Sequence, residues 1–182
     1  MLDRKRPYHH GKLKEALLER AAVVLRESGS EELSLRDLAK SVGVSPNAPY
    51  RHFTDKNHLL AILAAGGFDD LTTRLAAVGS EGPGKRLRTA ADRYFAFAAE
   101  HPGLYQLMFT CKAGIEELDS ARDRFLAELK EMVRVFVGEV TVNDDVESAT
   151  IATWSLWHGG VTLQSTVTGS ELTRMLGRGI RD

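Results

Sequence analysis

The stretch SLRDLAKSVGVSPNAPYRHFTDK, residues 34–56, decides how the rest of the chain is read. Ser34 with Asp37 three residues later has the form of a capping box, which satisfies amide donors that an isolated helix end leaves open. Leu35, Leu38, Ala39 and Val42 recur at helical spacing and give one apolar face. Gly43 supplies the positive φ that ends a helix. Ser45 is placed to cap a second helix, with Pro46 at its first position, where a missing N–H costs nothing. Val44 and Pro49 can pack across that cap. A further helix starts from a cap at Thr54 or Asp55. This spacing is that of a helix-turn-helix.

On the N-terminal side, a helix is expected from about Gly11 to Ser28, with Leu18, Ala21, Ala22 and Leu25 on one face and Gly29 as its stop. Before it, Arg4, Lys5, Arg6, Lys12 and Lys14 form a basic lead-in that fits either an arm along a nucleic-acid backbone or a solvated tail. His9 and His10 have no suitably spaced Cys or carboxylate beside them, so no metal site is expected. Residues 1–60 carry 11 Lys+Arg against 8 Asp+Glu, and the remainder 13 against 17, for −1 overall. A mildly basic front on an acidic body suits local contact with phosphates.

On the C-terminal side, Leu60, Ala64, Gly67, Leu71 and Leu75 mark a long helix that leaves the first unit and enters the second. The run Gly79–Gly84 ends it. Helices are then expected over about Lys85–Glu100, Leu104–Thr110, Leu118–Glu139, Val146–Thr168 and Glu171–Ile180. Only Val135–Val142 competes as a strand, and it reads better as helix. The expected fold is all-α, with a helix-turn-helix domain over 1–56 and a helical ligand-binding and dimerisation domain over 57–182.

Composition narrows the function classes. The chain has 182 residues, enough for a substantial core, and one cysteine, Cys111, so no internal disulfide framework exists. No apolar run is long enough for a bilayer and the N-terminus lacks a secretory pattern, so a cytoplasmic location is expected. Cys111 with His101, and His158 with Thr162, are the raw materials for nucleophilic chemistry, and neither pair has a local motif. No catalytic residue, cofactor or metal is expected.

The front of the chain, with GVSPNAPYRHFTDK at 43–56 and Leu59-Leu60 beyond, resembles the DNA-binding domain of TetR-family transcriptional regulators. Trp157-His158-Gly159 adds a likeness to regulators whose C-terminal domain is named for a Trp-His-Gly motif. The resemblance implies a repressor that binds a palindromic double-stranded operator as a homodimer, joined through the last two helices (about 146–181) and released by a small molecule. It places Pro46, Asn47 and Ala48 toward the major groove, where Asn47 is the strong reader and adenine its natural partner. Arg36 reads guanine or pairs a phosphate. Tyr50, His52 and Lys56 match phosphate contacts, with Ser34 and Ser45 as further hydroxyl candidates. Pro49 departs from the aliphatic residue usual at its position and removes a backbone bond to the Ser45 carbonyl. In the second domain Tyr94, Phe97, Tyr105, Met108, Phe109, Trp154, Trp157 and His158 are the expected lining for an apolar effector. The alternative is a non-sensing DNA-binding or adaptor protein in which these side chains are solid core.

Overall fold

The computed structural model describes residues 10–79, 82–140 and 145–162. Among them are seven α-helices and no strand: α1 (His10–Ser28), α2 (Leu35–Ser41), α3 (Lys56–Ala76), α4 (Pro83–Glu100), α5 (Pro102–Thr110), α6 (Glu116–Val140) and α7 (Val146–Thr162). No helix among these residues is long and apolar enough to cross a membrane. The all-helical architecture agrees with the sequence, including the helical state of 135–140.

One element differs in kind. Where a recognition helix was expected from Pro46, the backbone forms a 3-10 turn over Pro49–Arg51. The physical reason is at Pro49, which has no N–H to return to the Ser45 carbonyl. That carbonyl accepts instead from Ala48, three residues on, at 2.9 Å. Normal i→i−4 bonding resumes only when Phe53 N–H reaches Pro49 O at 3.0 Å.

Proline moves other boundaries the opposite way. Pro83 and Pro102 each sit at the first helical position, so α4 and α5 start earlier than expected and only His101 separates them. The expected helix over Glu171–Ile180, and the part of the preceding one beyond Thr162, lie outside the described residues.

A front unit of α1, α2, the 3-10 turn and the start of α3 closes over Leu17, Ala21, Leu38, Phe53 and Leu59. The body is organised by α3, whose 21 residues span about 31 Å at 1.5 Å each. α6 is its most extensive partner, and α5 packs beside it. Two glycines allow close contact between elements. A Cβ on Gly67 would stand 2.7 Å from Met108 Sδ, and one on Gly103 would stand 3.1 Å from the Leu25 carbonyl oxygen. The second contact sets α5 against the end of α1, joining front to body. Gly159, in contrast, has nothing within 4 Å of where a Cβ would be.

Candidate nucleic-acid interface and sensor core

The front unit is built so that small anchors hold a polar edge. Ser34 caps α2, its Oγ accepting from Asp37 N–H at 3.4 Å, and Gly43 turns the chain at φ +75°. Buried Pro49 and Phe53 then pin the segment between them to the core. In that segment Arg51 is exposed and Tyr50 keeps 48% of its surface in solvent, and just before it Ser45, Pro46 and Asn47 are exposed. A tyrosine of the core would not be so open. Arg36 is exposed on the first turn of α2, and Ala48 is half-buried. These residues all belong to the segment 34–56. Arg51 was missed from sequence, because the Tyr-x-His-Phe pattern leaves its position open.

Two expected phosphate contacts have other commitments. Lys56 Nζ donates to the Glu31 carbonyl at 2.8 Å, tying α3 to the α1–α2 loop. His52 is half-buried with Nε2 buried and unpartnered, so a phosphate contact must use its other ring nitrogen.

His58, which the sequence reading passed over, links this edge to the body. Asp55 caps α3 by accepting from His58 N–H at 2.8 Å. His58 Nδ1 accepts from Thr54 N–H at 3.2 Å, which leaves the ring proton on Nε2, 3.5 Å from Glu117 Oε1 at the start of α6. Glu117's carboxyl is held below its ordinary pKa, first by its own backbone N–H and then by His58.

In the body, the candidate effector residues fall into one aromatic interior. Tyr94, Phe97, Met108 and Trp157 are fully buried and Tyr105 nearly so, while Phe109, Trp154 and His158 are half-buried. Tyr94, Tyr105 and His158 form a line of hydrogen bonds, hydroxyl to hydroxyl at 2.9 Å and Tyr105 hydroxyl to His158 Nδ1 at 2.7 Å. Phe109 lies 4.3 Å from the His158 ring centroid and Trp157 lies 5.5 Å from that of Tyr94. Burial pushes the Tyr105 hydroxyl up to about 12, raises Tyr94 further, and lowers His158. All three are therefore neutral at physiological pH. Phe97 stands apart from the line, its ring 5.2 Å from the Arg74 guanidinium and 5.2 Å from the His101 ring.

A separate groove of about 460 Å³ opens between front and body, lined by Glu31, Asn57 and Leu60 on one side and Leu107, Cys111 and Ile115 on the other. Burial raises the Cys111 thiol pKa, which keeps it protonated. Among the described residues no cluster of His, Cys, Asp and Glu is arranged to hold a metal ion.

Two family patterns match along the chain. Residues 17–63 match the bacterial regulatory proteins of the tetR family, and residues 87–169 match the tetracyclin repressor-like C-terminal domain. The chain belongs to the TetR family. Its fold is that of a DNA-binding transcriptional regulator of this family. Among curated proteins, the nucleoid occlusion factor SlmA of Pectobacterium carotovorum is 35% identical over 114 residues, 61% of this chain and 57% of that protein. The chain thus spans little more than half the length of that relative. A Rhodococcus sp. RHA1 protein, described as of unknown function, superposes with a TM-score of 0.81 at 28% identity, over 97% of each chain. The TetR-family regulator PfmR of Thermus thermophilus superposes at 0.66 with 24% identity, covering 90% of this chain and 96% of that one, which speaks to fold alone.

Proposed function

We propose that this TetR-family chain is a cytoplasmic, homodimeric repressor that binds a palindromic operator through residues 34–56 and is released by a small apolar molecule. The observation that carries the DNA half is the exposed edge of Asn47, just before buried Pro49, and of Tyr50 and Arg51, held between Pro49 and buried Phe53. Asn47, at the head of the segment, would read base edges, and adenine offers it a bidentate partner. Pro46 and Ala48 offer apolar contact to a thymine methyl. Arg36 reads guanine, and Ser34, Ser45, Tyr50, His52 and Lys56 fix the register on phosphates. Lys56 must exchange the Glu31 carbonyl for a phosphate oxygen, a charge-assisted bond that favours the exchange.

One such segment contacts too little DNA for operator specificity, so two copies would read half-sites about 34–36 Å apart or a multiple of it. The support for pairing through α7 is its uncharged outer face, where Ala152 and Ser155 are exposed and Ile151 keeps 54% of its surface in solvent. Gly159, which needs no room within its own chain, would admit a second copy there. In this reading the chain divides at 56/57 into a DNA-binding and a sensing domain, and Trp157-His158-Gly159 places the second in the Trp-His-Gly subgroup. Tyr94, Phe97, Tyr105, Met108, Phe109, Trp154, Trp157 and His158 form the effector site. Effector action would be a population shift toward the half-site spacing that does not fit the operator, limited by the effector's differential affinity for the two states.

A second reading has its own support. Tyr94, Phe97, Met108 and Trp157 are fully buried, as a solid core would have them, and the curated relatives bear the name nucleoid occlusion factor. The chain would then be a DNA-bound adaptor without an effector. Footprinting on the DNA upstream of its own gene, repeated with a panel of lipophilic compounds, separates the two. A palindromic footprint erased by a compound supports the sensing repressor, and one that no compound alters supports the adaptor.

A further inference from the structure

The ligand-responsive reading above leaves the effector's chemistry open, and the inference here rests on that reading. The interior shared by α4, α5, α6 and α7 holds two indoles, two phenols and one imidazole in contact. Trp157 is fully buried and its Nε1 has no hydrogen-bond partner. Trp154 Nε1 is also buried without one; it lies close enough to the Tyr94 oxygen to favour the phenolate slightly, yet makes no bond of proper geometry. An indole N–H can only donate, and a buried donor left unpaired is rare enough in folded proteins to call for an account.

The other three groups do not relieve this. Tyr94, Tyr105 and His158 form a single line with two links, at 2.9 and 2.7 Å. In the neutral state each owns one polar hydrogen, so three hydrogens serve two links. One hydrogen is therefore spare, so the line adds a donor, and none of its oxygens receives either indole N–H in hydrogen-bond geometry. The unmet need of this interior is therefore for an acceptor.

Charge selects further. Burial keeps both phenols and the imidazole neutral, so none of the five groups offers a counter-ion. Arg122, whose guanidinium lies 5.8 Å from the Phe68 ring centroid, is committed to the Met108 and Cys111 carbonyls at 3.2 and 3.0 Å. A carboxylate entering here would lose its water without gaining a cation. A carbonyl oxygen loses far less and gains the indole donors.

We propose that this interior takes an uncharged aromatic molecule bearing a carbonyl-type acceptor oxygen, which Trp157 and Trp154 bind through their indole N–H groups, and that it rejects the carboxylate of the same shape.

Three probes of one shape test this on the full chain: 2-acetylnaphthalene, 2-ethylnaphthalene and 2-naphthoate, titrated by calorimetry. The ketone is expected to bind at least about tenfold tighter than either of the others. Trp157→Phe should lower the ketone's affinity more than the hydrocarbon's and so narrow that preference, because one of the two donors is gone. Trp154 and Trp157 are the chain's two tryptophans, so ultraviolet resonance Raman of the indole band reads them directly in the unaltered protein. A free N–H signature without ligand and a bonded one with the ketone are expected. The inference is overturned if the hydrocarbon or the carboxylate binds as tightly as the ketone, if none of the three binds, or if both indoles are already hydrogen-bonded without ligand. Operator affinity measured alongside separates the two ideas. Selective ketone binding that leaves DNA affinity unchanged upholds the donor site and defeats the ligand-responsive reading. Compounds that release DNA irrespective of an acceptor do the reverse.

Discussion

Gly66 and Gly67 are neighbours in the middle of α3, and replacing each in turn by alanine isolates the contact that seats α5 on α3. Both changes add the same methyl group to one helix, so both gain the same intrinsic propensity, about 0.5–1 kcal/mol over glycine. They differ in what that methyl meets. At Gly66 nothing lies within 4 Å, whereas at Gly67 Met108 Sδ would stand at 2.7 Å, with Leu104 Cγ and Met108 Cγ at 3.1 Å. Met108 is fully buried, so its side chain can yield only by displacing other core atoms. Overpacking of this kind costs about 1–3 kcal/mol. Gly66→Ala should therefore raise stability by about 0.5–1 kcal/mol, and Gly67→Ala should fall about 1–3 kcal/mol below it. Urea denaturation at one fixed protein concentration gives both values, with unchanged m-values confirming that the same transition is compared. Trimming the obstacle, as Gly67→Ala with Met108→Ala, should make the cost of the two changes less than additive. Equal stability of the two single variants would refute the packing argument.

Two further outcomes follow from the interior of the body. Phe125 is fully buried and its ring centroid lies 5.6 Å from Trp154, 5.8 Å from Phe68 and 6.4 Å from Tyr94, so Phe125→Ala should cost about 3–5 kcal/mol in the same denaturation assay. His158 has its pKa lowered from 6.5 by burial, so below pH 6.5 the unfolded chain binds a proton that the folded one resists. Stability should decline as pH falls from about 6.5 toward the lower folded value, and His158→Gln should remove that part of the decline when unfolding is compared at about pH 7.5 and 5.5.

What the sequence disclosed followed local rules. Ser34, Gly43 and Asp55 act as the cap, turn and cap that their types and spacing require, and the apolar stripe of α3 is buried at Ala64, Gly67, Leu71 and Leu75. Pro49 marks where local rules compete. A cap-and-proline pattern at Ser45-Pro46 argues for a helix, while a second proline three residues on removes the bond that would propagate it, and the balance falls to a 3-10 turn. At the candidate DNA edge the family resemblance pointed to Pro46, Asn47 and Tyr50, which are exposed, and passed over Arg51, which is exposed as well. Three features were not legible in the sequence. The Lys56 tether to Glu31 spans 25 residues of chain, the His58–Glu117 pair 59, and the Tyr105–His158 bond 53. No periodicity within a single element carries such pairings. They exist only once the elements concerned are folded against one another.

The central claim is that residues 34–56 read DNA as one half of a symmetric pair. The direct measurement is selection of bound sequences from a random duplex pool by the full-length protein, followed by affinity measurements with Asn47→Ala and Lys56→Ala. The account predicts an enriched palindrome whose half-site centres lie about 34–36 Å apart or a multiple of it. Asn47→Ala should relax preference at one base pair per half-site, worth about 1–3 kcal/mol, and Lys56→Ala should weaken all sequences alike with a shallower salt dependence. No enriched sequence, or an enriched palindrome bound equally well by both variants, would contradict it.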